Sequence, residues 1–173
     1  MREQETELSP QRSLATRRLE DDDVSSSLVA PIWDPAAQLQ PMVMVIDDSL
    51  AVRRVVEICL ARQGISTASF SNGAEAMAAL SRGAISPPKV ALLDVGMPRM
   101  NGYEVAKRLR SNPAFRDTRL FMLTGHDGVL DRAYARILGA GFIPKPFKSY
   151  ELITIVCEAL GIRVPEHRWR RWQ

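Results

Sequence analysis

From Pro41 onward the chain alternates between two hydrophobic rhythms. MVMVI at 42–46 is a short apolar run that stops at Asp47-Asp48, and it reads as a strand. Val52, Val55, Val56, Cys59 and Leu60 then recur at i, i+3, i+4, i+7 and i+8, one face of a helix. Ser49 is placed to cap that helix and Gly64 to end it. ISTASF at 65–70 alternates weakly, as a second strand would. Asn72 with Glu75 resembles a capping box and opens a helix to about Leu80. Ser86-Pro87-Pro88 is a loop, residues 89–93 a third strand and 101–111 a third helix. Arg119–Leu123 reads as a fourth strand. Leu130, Ala133, Tyr134, Ile137 and Leu138 repeat the helical spacing, Phe142-Ile143 is a short fifth strand, and Ser149 caps a last helix with the face Leu152, Ile155, Val156 and Ala159. Five strands alternating with five helices predict βαβ units, hence an α/β fold with a parallel sheet covered by helices on both faces. Right-handed crossovers bring the carboxyl ends of all strands to one edge, where ligands of such sheets bind.

Residues 1–40 show neither rhythm. They hold EDDD at 20–23, SSS at 25–27 and three prolines, and read as a flexible acidic extension. Ile32 and Trp33 are its bulky apolar pair and could dock locally. A single domain over 41–162 and a short basic tail with Trp169 and Trp172 over 163–173 complete the expected organisation. Charge follows the same division. The net charge of +3 combines four arginines against eight acids in the head, 15 basic against 11 acidic residues in the body, and four arginines against one glutamate in the tail. The overall basicity is therefore no sign of a basic domain. Hydrophobic residues make up 46% of the chain, a globular proportion. No apolar run approaches the roughly 18–20 residues that span a bilayer, and the N-terminus lacks the apolar segment of a secretory signal. A cytoplasmic location follows as the default. Cys59 and Cys157 sit in helical patterns without metal or redox spacing and read as reduced, partly buried thiols.

The chemistry lies at the strand ends. Asp47 and Asp48 follow the first strand, Asp94 the third, Thr124 the fourth and Lys145 the fifth. Three carboxylates, a hydroxyl and an ammonium would converge on one edge. Carboxylates packed together raise one another's pKa, and a hard divalent cation relieves the repulsion. Mg²⁺ takes oxygen ligands, keeps several waters and commonly adds a phosphate oxygen, whereas zinc would want His or Cys. Asp94, rigid and solvent-reachable at a strand tip, could then act as a nucleophile and form an acyl phosphate. Thr124 and Lys145 would neutralise charge on the transferring group. Gly96 frees its backbone carbonyl to turn inward as a ligand, and Asn101 is placed to cap the third helix.

These residues resemble the receiver domain of two-component response regulators. The matching pieces are MVIDDS at 44–49, LLDVGMPRMNGYE at 92–104, MLTG at 122–125 and PKPF at 144–147, within about 42–162. The resemblance implies a flavodoxin-like, doubly wound five-stranded parallel sheet of order 2-1-3-4-5 with five helices. It implies Asp94 as phosphoacceptor. Mg²⁺ would be held by Asp48, Asp94 and the Gly96 carbonyl, with Asp47 assisting. Thr124 and Lys145 would contact the phosphoryl group, and Thr124 and Phe142 would carry the switch. Phe142 stands where a tyrosine is more usual. The Lys145–Pro146 peptide is often cis in the family. SNPAFRDT at 111–118 and HDGVLDRAYARILGAG at 126–141 look like the small regulators of type IV pilus and twitching motility systems. Gly96 and His126 occupy the positions that flank the route of the hydrolytic water, so His126 is expected to influence phosphoryl lifetime.

The resemblance makes a sensor histidine kinase the phosphoryl donor. With 11 residues after 162, output is expected through a protein partner at the surface of the fourth helix, fifth strand and fifth helix, through self-association as a homodimer, or through the tails. The tail EHRWRRWQ could stack on nucleic acid or touch an anionic membrane, yet a frayed terminus is the plainer account, and nucleic acid is not the expected partner. Two other readings compete. A receiver without output would be a phosphate sink. A phosphohydrolase of the haloacid dehalogenase type would need a second Asp two residues after the nucleophile, and Gly96 stands there. The expectation is a phosphoacceptor signalling protein rather than a conventional enzyme.

Overall fold

Val43–Ile46 (β1) alternates Val43 and Val45 on one side with Met44 and Ile46 on the other, and all four are buried. A strand apolar on both faces must be covered on both, which is the mark of a central parallel strand. The computed structural model describes residues 43–125 and 129–163. The acidic head, the Trp-containing tail and His126 lie outside the described residues.

Leu50–Ala61 (α1) begins where the Ser49 hydroxyl accepts the Val52 N–H at 3.4 Å. Thr67–Phe70 (β2) is half-buried throughout and Gly73–Ser81 (α2) is capped by Asn72, whose Oδ1 accepts the Glu75 N–H at 2.8 Å. Val90–Asp94 (β3) is fully buried, and Gly102–Arg110 (α3) starts under an Asn101 cap at 3.0 Å. Arg119–Thr124 (β4), Val129–Ile137 (α4), Ala140–Pro144 (β5) and Ser149–Leu160 (α5) follow. The five strands form one parallel sheet of order β2-β1-β3-β4-β5. One face carries Val43, Val45, Leu92 and Leu123 against α1 and α5, where Val56, Leu60, Leu152 and Val156 complete the core. The other carries Met44, Ile46, Leu93 and Met122 against α2, α3 and α4, packed with Ala76, Val105, Leu109 and Ala135. The expected doubly wound α/β fold is the one observed.

Three expectations are corrected. Ser149 does not cap α5; it is the first helical residue. Lys148 is the cap, with its N–H donated to the Glu151 carboxylate at 3.3 Å. Val55 lies 45% exposed on α1 although it shares the predicted apolar face. In α4 the spacing marks the solvent side: Ala133 is exposed, Tyr134 is 48% and Ile137 79% exposed, while Ala135 is buried and Leu138 half-buried. Apolar periodicity locates a face; it does not say whether sheet or solvent meets it. The structure also adds a 3₁₀ turn at Pro113–Phe115, capped by Asn112 Oδ1 at 3.0 Å and anchored by buried Phe115.

Candidate functional site

The strand order reverses between β1 and β3. The chain leaves β1 to form β2 on one side and returns to place β3 on the other, so a crevice opens past their carboxyl ends. Asp47 and Asp48 follow β1 into that crevice and Asp94 is the last residue of β3. The three aspartates bring carboxylate oxygens within 4.8 Å of one another. Asp47 is fully buried, Asp94 nearly so, and Asp48 exposed.

Lys145 reaches this cluster from the end of β5. Its Nζ donates to Asp47 Oδ2 at 2.5 Å and to Asp94 Oδ1 at 2.8 Å. Its N–H donates to the Thr124 carbonyl at 2.7 Å, so β4 and β5 are fastened directly behind the ammonium. The Lys145–Pro146 peptide is cis. Thr124, buried at the end of β4, lies opposite Pro144 in the sheet register. Burial pushes the Asp47 carboxyl above its ordinary value, and the hydrogen bonds from Lys145 and the Ser49 N–H offset only part of that rise. Burial alone would pull the Lys145 ammonium down. Its hydrogen bonds to Asp47 and Asp94, and their charges, outweigh burial and hold it above the ordinary lysine value.

Two glycines shape the surroundings of Asp94. A Cβ on Gly96 would stand 3.7 Å from Asp94 Oδ2, so a side chain there would lie against a carboxylate that is already nearly buried, not solvent-reachable as expected from the sequence. A Cβ on Gly102 would lie 2.5 Å from the Asp94 carbonyl oxygen, so only glycine lets α3 begin this close to β3. Phe142, half-buried on β5, lies under the Arg132 guanidinium at 5.7 Å.

Asp47, Asp48, Asp94, Gly96, Thr124 and Lys145 thus gather at one edge. The donor set fits a magnesium ion: hard oxygens on three aspartates that otherwise repel, with one lysine to balance them and no His or Cys in the cluster. Sequence reasoning missed Arg53, half-buried on α1, whose Nη1 donates to the main-chain carbonyls of Asp47 and Asp48 at 2.6 and 3.3 Å. It also missed Arg110, which ties the end of α3 to the carbonyls of Thr118, Leu138 and Gly139 at 2.9, 3.0 and 3.2 Å. Neither left a signal, because both serve main-chain acceptors that every residue possesses.

A doubly wound sheet with an aspartate triad at its switch point and a lysine reaching across it defines a receiver-type signalling domain. The chain belongs to the response regulator receiver domain family, whose model matches residues 43–157. It is similar to protein PilG of Pseudomonas aeruginosa, 37% identical over 64% of this chain and 81% of that one. The chain spans about half the length of other curated relatives it matches, for instance 44% and 53%. Among solved structures it resembles a response regulator receiver protein from Burkholderia phymatum, with TM-score 0.64 and 34% identity over 73% of this chain and 99% of that one. It also resembles the chemotaxis protein CheY4 of Vibrio cholerae, with TM-score 0.63 and 27% identity over 69% of this chain and 98% of that one. No helix among the described residues is long and apolar enough to cross a membrane.

Proposed function

We propose that this chain is a phosphorylation-operated switch that accepts a phosphoryl group on Asp94 from a sensor histidine kinase. The observation that carries the reading is the Asp94 carboxylate, free of any side chain at neighbouring Gly96 and held 2.8 Å from Lys145 within the aspartate cluster. An Asp94 oxygen attacks phosphorus, the phosphorus–nitrogen bond of the donor phosphohistidine breaks, and the electron pair leaves with the imidazole. Lys145 and Thr124 stabilise the charge on the phosphoryl oxygens. Asp47, Asp48, Asp94 and the Gly96 carbonyl would hold Mg²⁺, which when bound neutralises phosphoryl charge. Water later hydrolyses the acyl phosphate. Gly96 puts no side chain in that water's path, and His126 is the residue left to influence the rate.

The output surface is α4, β5 and α5. Tyr134 and Ile137 present apolar area to solvent there, beside Arg132 and Arg136 and a groove of about 600 Å³ that runs to Phe142. Thr124 and Phe142 carry the change from the acceptor to this face. Moving a two-state equilibrium from 1:99 to 99:1 takes about 5.5 kcal/mol of differential stabilisation. Charge-assisted bonds from the phosphoryl group to Thr124 and Lys145 supply part of it and a bound protein partner the rest. Similarity to PilG supports a place in type IV pilus or chemotaxis-like signalling.

The test is intact mass after incubation with acetyl phosphate, with and without Mg²⁺, beside Asp94→Asn. A magnesium-dependent gain of one phosphoryl group, absent in the variant, is expected. A gain that survives in Asp94→Asn would overturn the assignment.

A further inference from the structure

We propose that Arg53 is a positioning residue for the metal-binding carboxylates, an inference that rests on the proposed function. Arg53 stands one turn into α1, and a single nitrogen of its guanidinium serves two successive carbonyls, Asp47 O at 2.6 Å and Asp48 O at 3.3 Å. These belong to the two residues that bring carboxylates to the crevice from β1. With both carbonyls held to one donor, the peptide planes on either side of Asp48 lose their freedom to turn. Asp47 is then fixed at every group it owns. Its N–H donates to Phe70 O at 3.2 Å, its Oδ1 accepts the Ser49 N–H at 2.9 Å, its Oδ2 accepts from Lys145, and its carbonyl accepts from Arg53. Asp48 is exposed, so the aim of its carboxylate depends on the main chain that Arg53 holds. The neighbouring Arg54 faces away, in an exposed ion pair with Glu57 at 2.7 Å.

Two effects of Arg53 oppose each other. Its positive charge repels a cation in the crevice, and its hydrogen bonds hold the ligands that attract one. Nη1 of half-buried Arg53 donates to the carbonyls rather than to the carboxylates, so positioning dominates. Removing such support around a metal site typically costs about 10–100-fold in affinity.

The full chain is titrated with Mn²⁺, free ion being followed by electron paramagnetic resonance, and the Mg²⁺ concentration for half-maximal phosphorylation by acetyl phosphate is measured in parallel. Arg53→Ala is expected to weaken Mn²⁺ binding about 10-fold and to move the Mg²⁺ half-saturation by the same factor. Arg53→Lys keeps the charge and one donor and should recover most of the loss. Arg54→Ala should match the parent. Should Arg53→Ala fail to fold by circular dichroism, Arg53→Gln replaces it with the same expectation. Mn²⁺ binding in Arg53→Ala as tight as in the parent, or tighter, overturns the proposal and would assign Arg53 a repulsive role. Absence of Mn²⁺ binding in the parent chain would instead overturn the proposed function on which it rests.

Discussion

Lys145 holds two carboxylates at once, and although burial would lower its pKa, the hydrogen bonds and charges of Asp47 and Asp94 raise it. In the unfolded chain the ammonium titrates near the ordinary 10.5, and in the folded chain it titrates higher. The stabilisation is therefore fully present below pH 10.5 and is lost as pH rises through the folded value. Lys145→Met should be less stable than the parent from pH 7 to about 10, with the gap narrowing above that; denaturant unfolding of both proteins across this range checks it. A gap that widens with alkalinity would mean that the ammonium is not what holds the aspartates. At this scale the sequence was informative. Asp47, Asp48, Asp94, Thr124 and Lys145 each follow an apolar run, so a charge or hydroxyl at the end of a buried strand announced itself. Arg53 did not, because its targets are carbonyls.

Elements meet here through close approach as well as through caps. The β3–α3 connection places Gly102 against the Asp94 main chain, where a Cβ would lie 2.5 Å from a carbonyl oxygen. That neighbour is backbone and cannot swing aside. Gly102→Ala should cost about 1–3 kcal/mol in denaturant unfolding, the usual range for overpacking, and should slow acetyl phosphate labelling by displacing the acceptor strand's end. Unchanged stability would show that α3 can slide to make room. Of the Asn101-Gly102 pair the sequence shows the Asn101 cap, which the structure bears out. The reason for its glycine was illegible, because the crowding comes from a strand eight residues earlier. The face of α4 was misread for a related reason. Tyr134 and Ile137 keep helical spacing yet look outward, Tyr134 meeting Tyr103 edge-on with ring centres 5.0 Å apart, while small Ala135 packs against the sheet.

The whole molecule is a sheet buried on both faces with acidic groups gathered at one edge. The raised pKa of Asp47 means that its ionised form is disfavoured by folding, so above the ordinary aspartate range this carboxylate costs stability. A cation that binds only the folded site returns part of that cost. Mg²⁺ at ten times its dissociation constant should stabilise the chain by about 1.4 kcal/mol and raise Tm by roughly 5 °C. Asp94→Asn should lose most of that shift. A thermal scan with Mg²⁺ and with an equal ionic strength of NaCl decides it, and equal shifts from both salts would mean screening rather than a site.

Alternating apolar runs and helical spacings determined the element order, the parallel class and the edge on which the chemistry lies, because right-handed crossovers allow few arrangements. Side-chain caps at Ser49, Asn72 and Asn101 were equally legible, since a cap acts within three residues of itself. The predicted faces of α1 and α5 meet the sheet, Val55 apart, and the tertiary structure alone decided which side of α4 does. It also decided the grip of Lys145 on two aspartates, the clasp of Arg110 and the hold of Arg53 on the acidic turn. Periodicity encodes the angle of an apolar stripe but not the neighbour it faces. A donor aimed at a distant main-chain carbonyl leaves no mark on the sequence around that carbonyl.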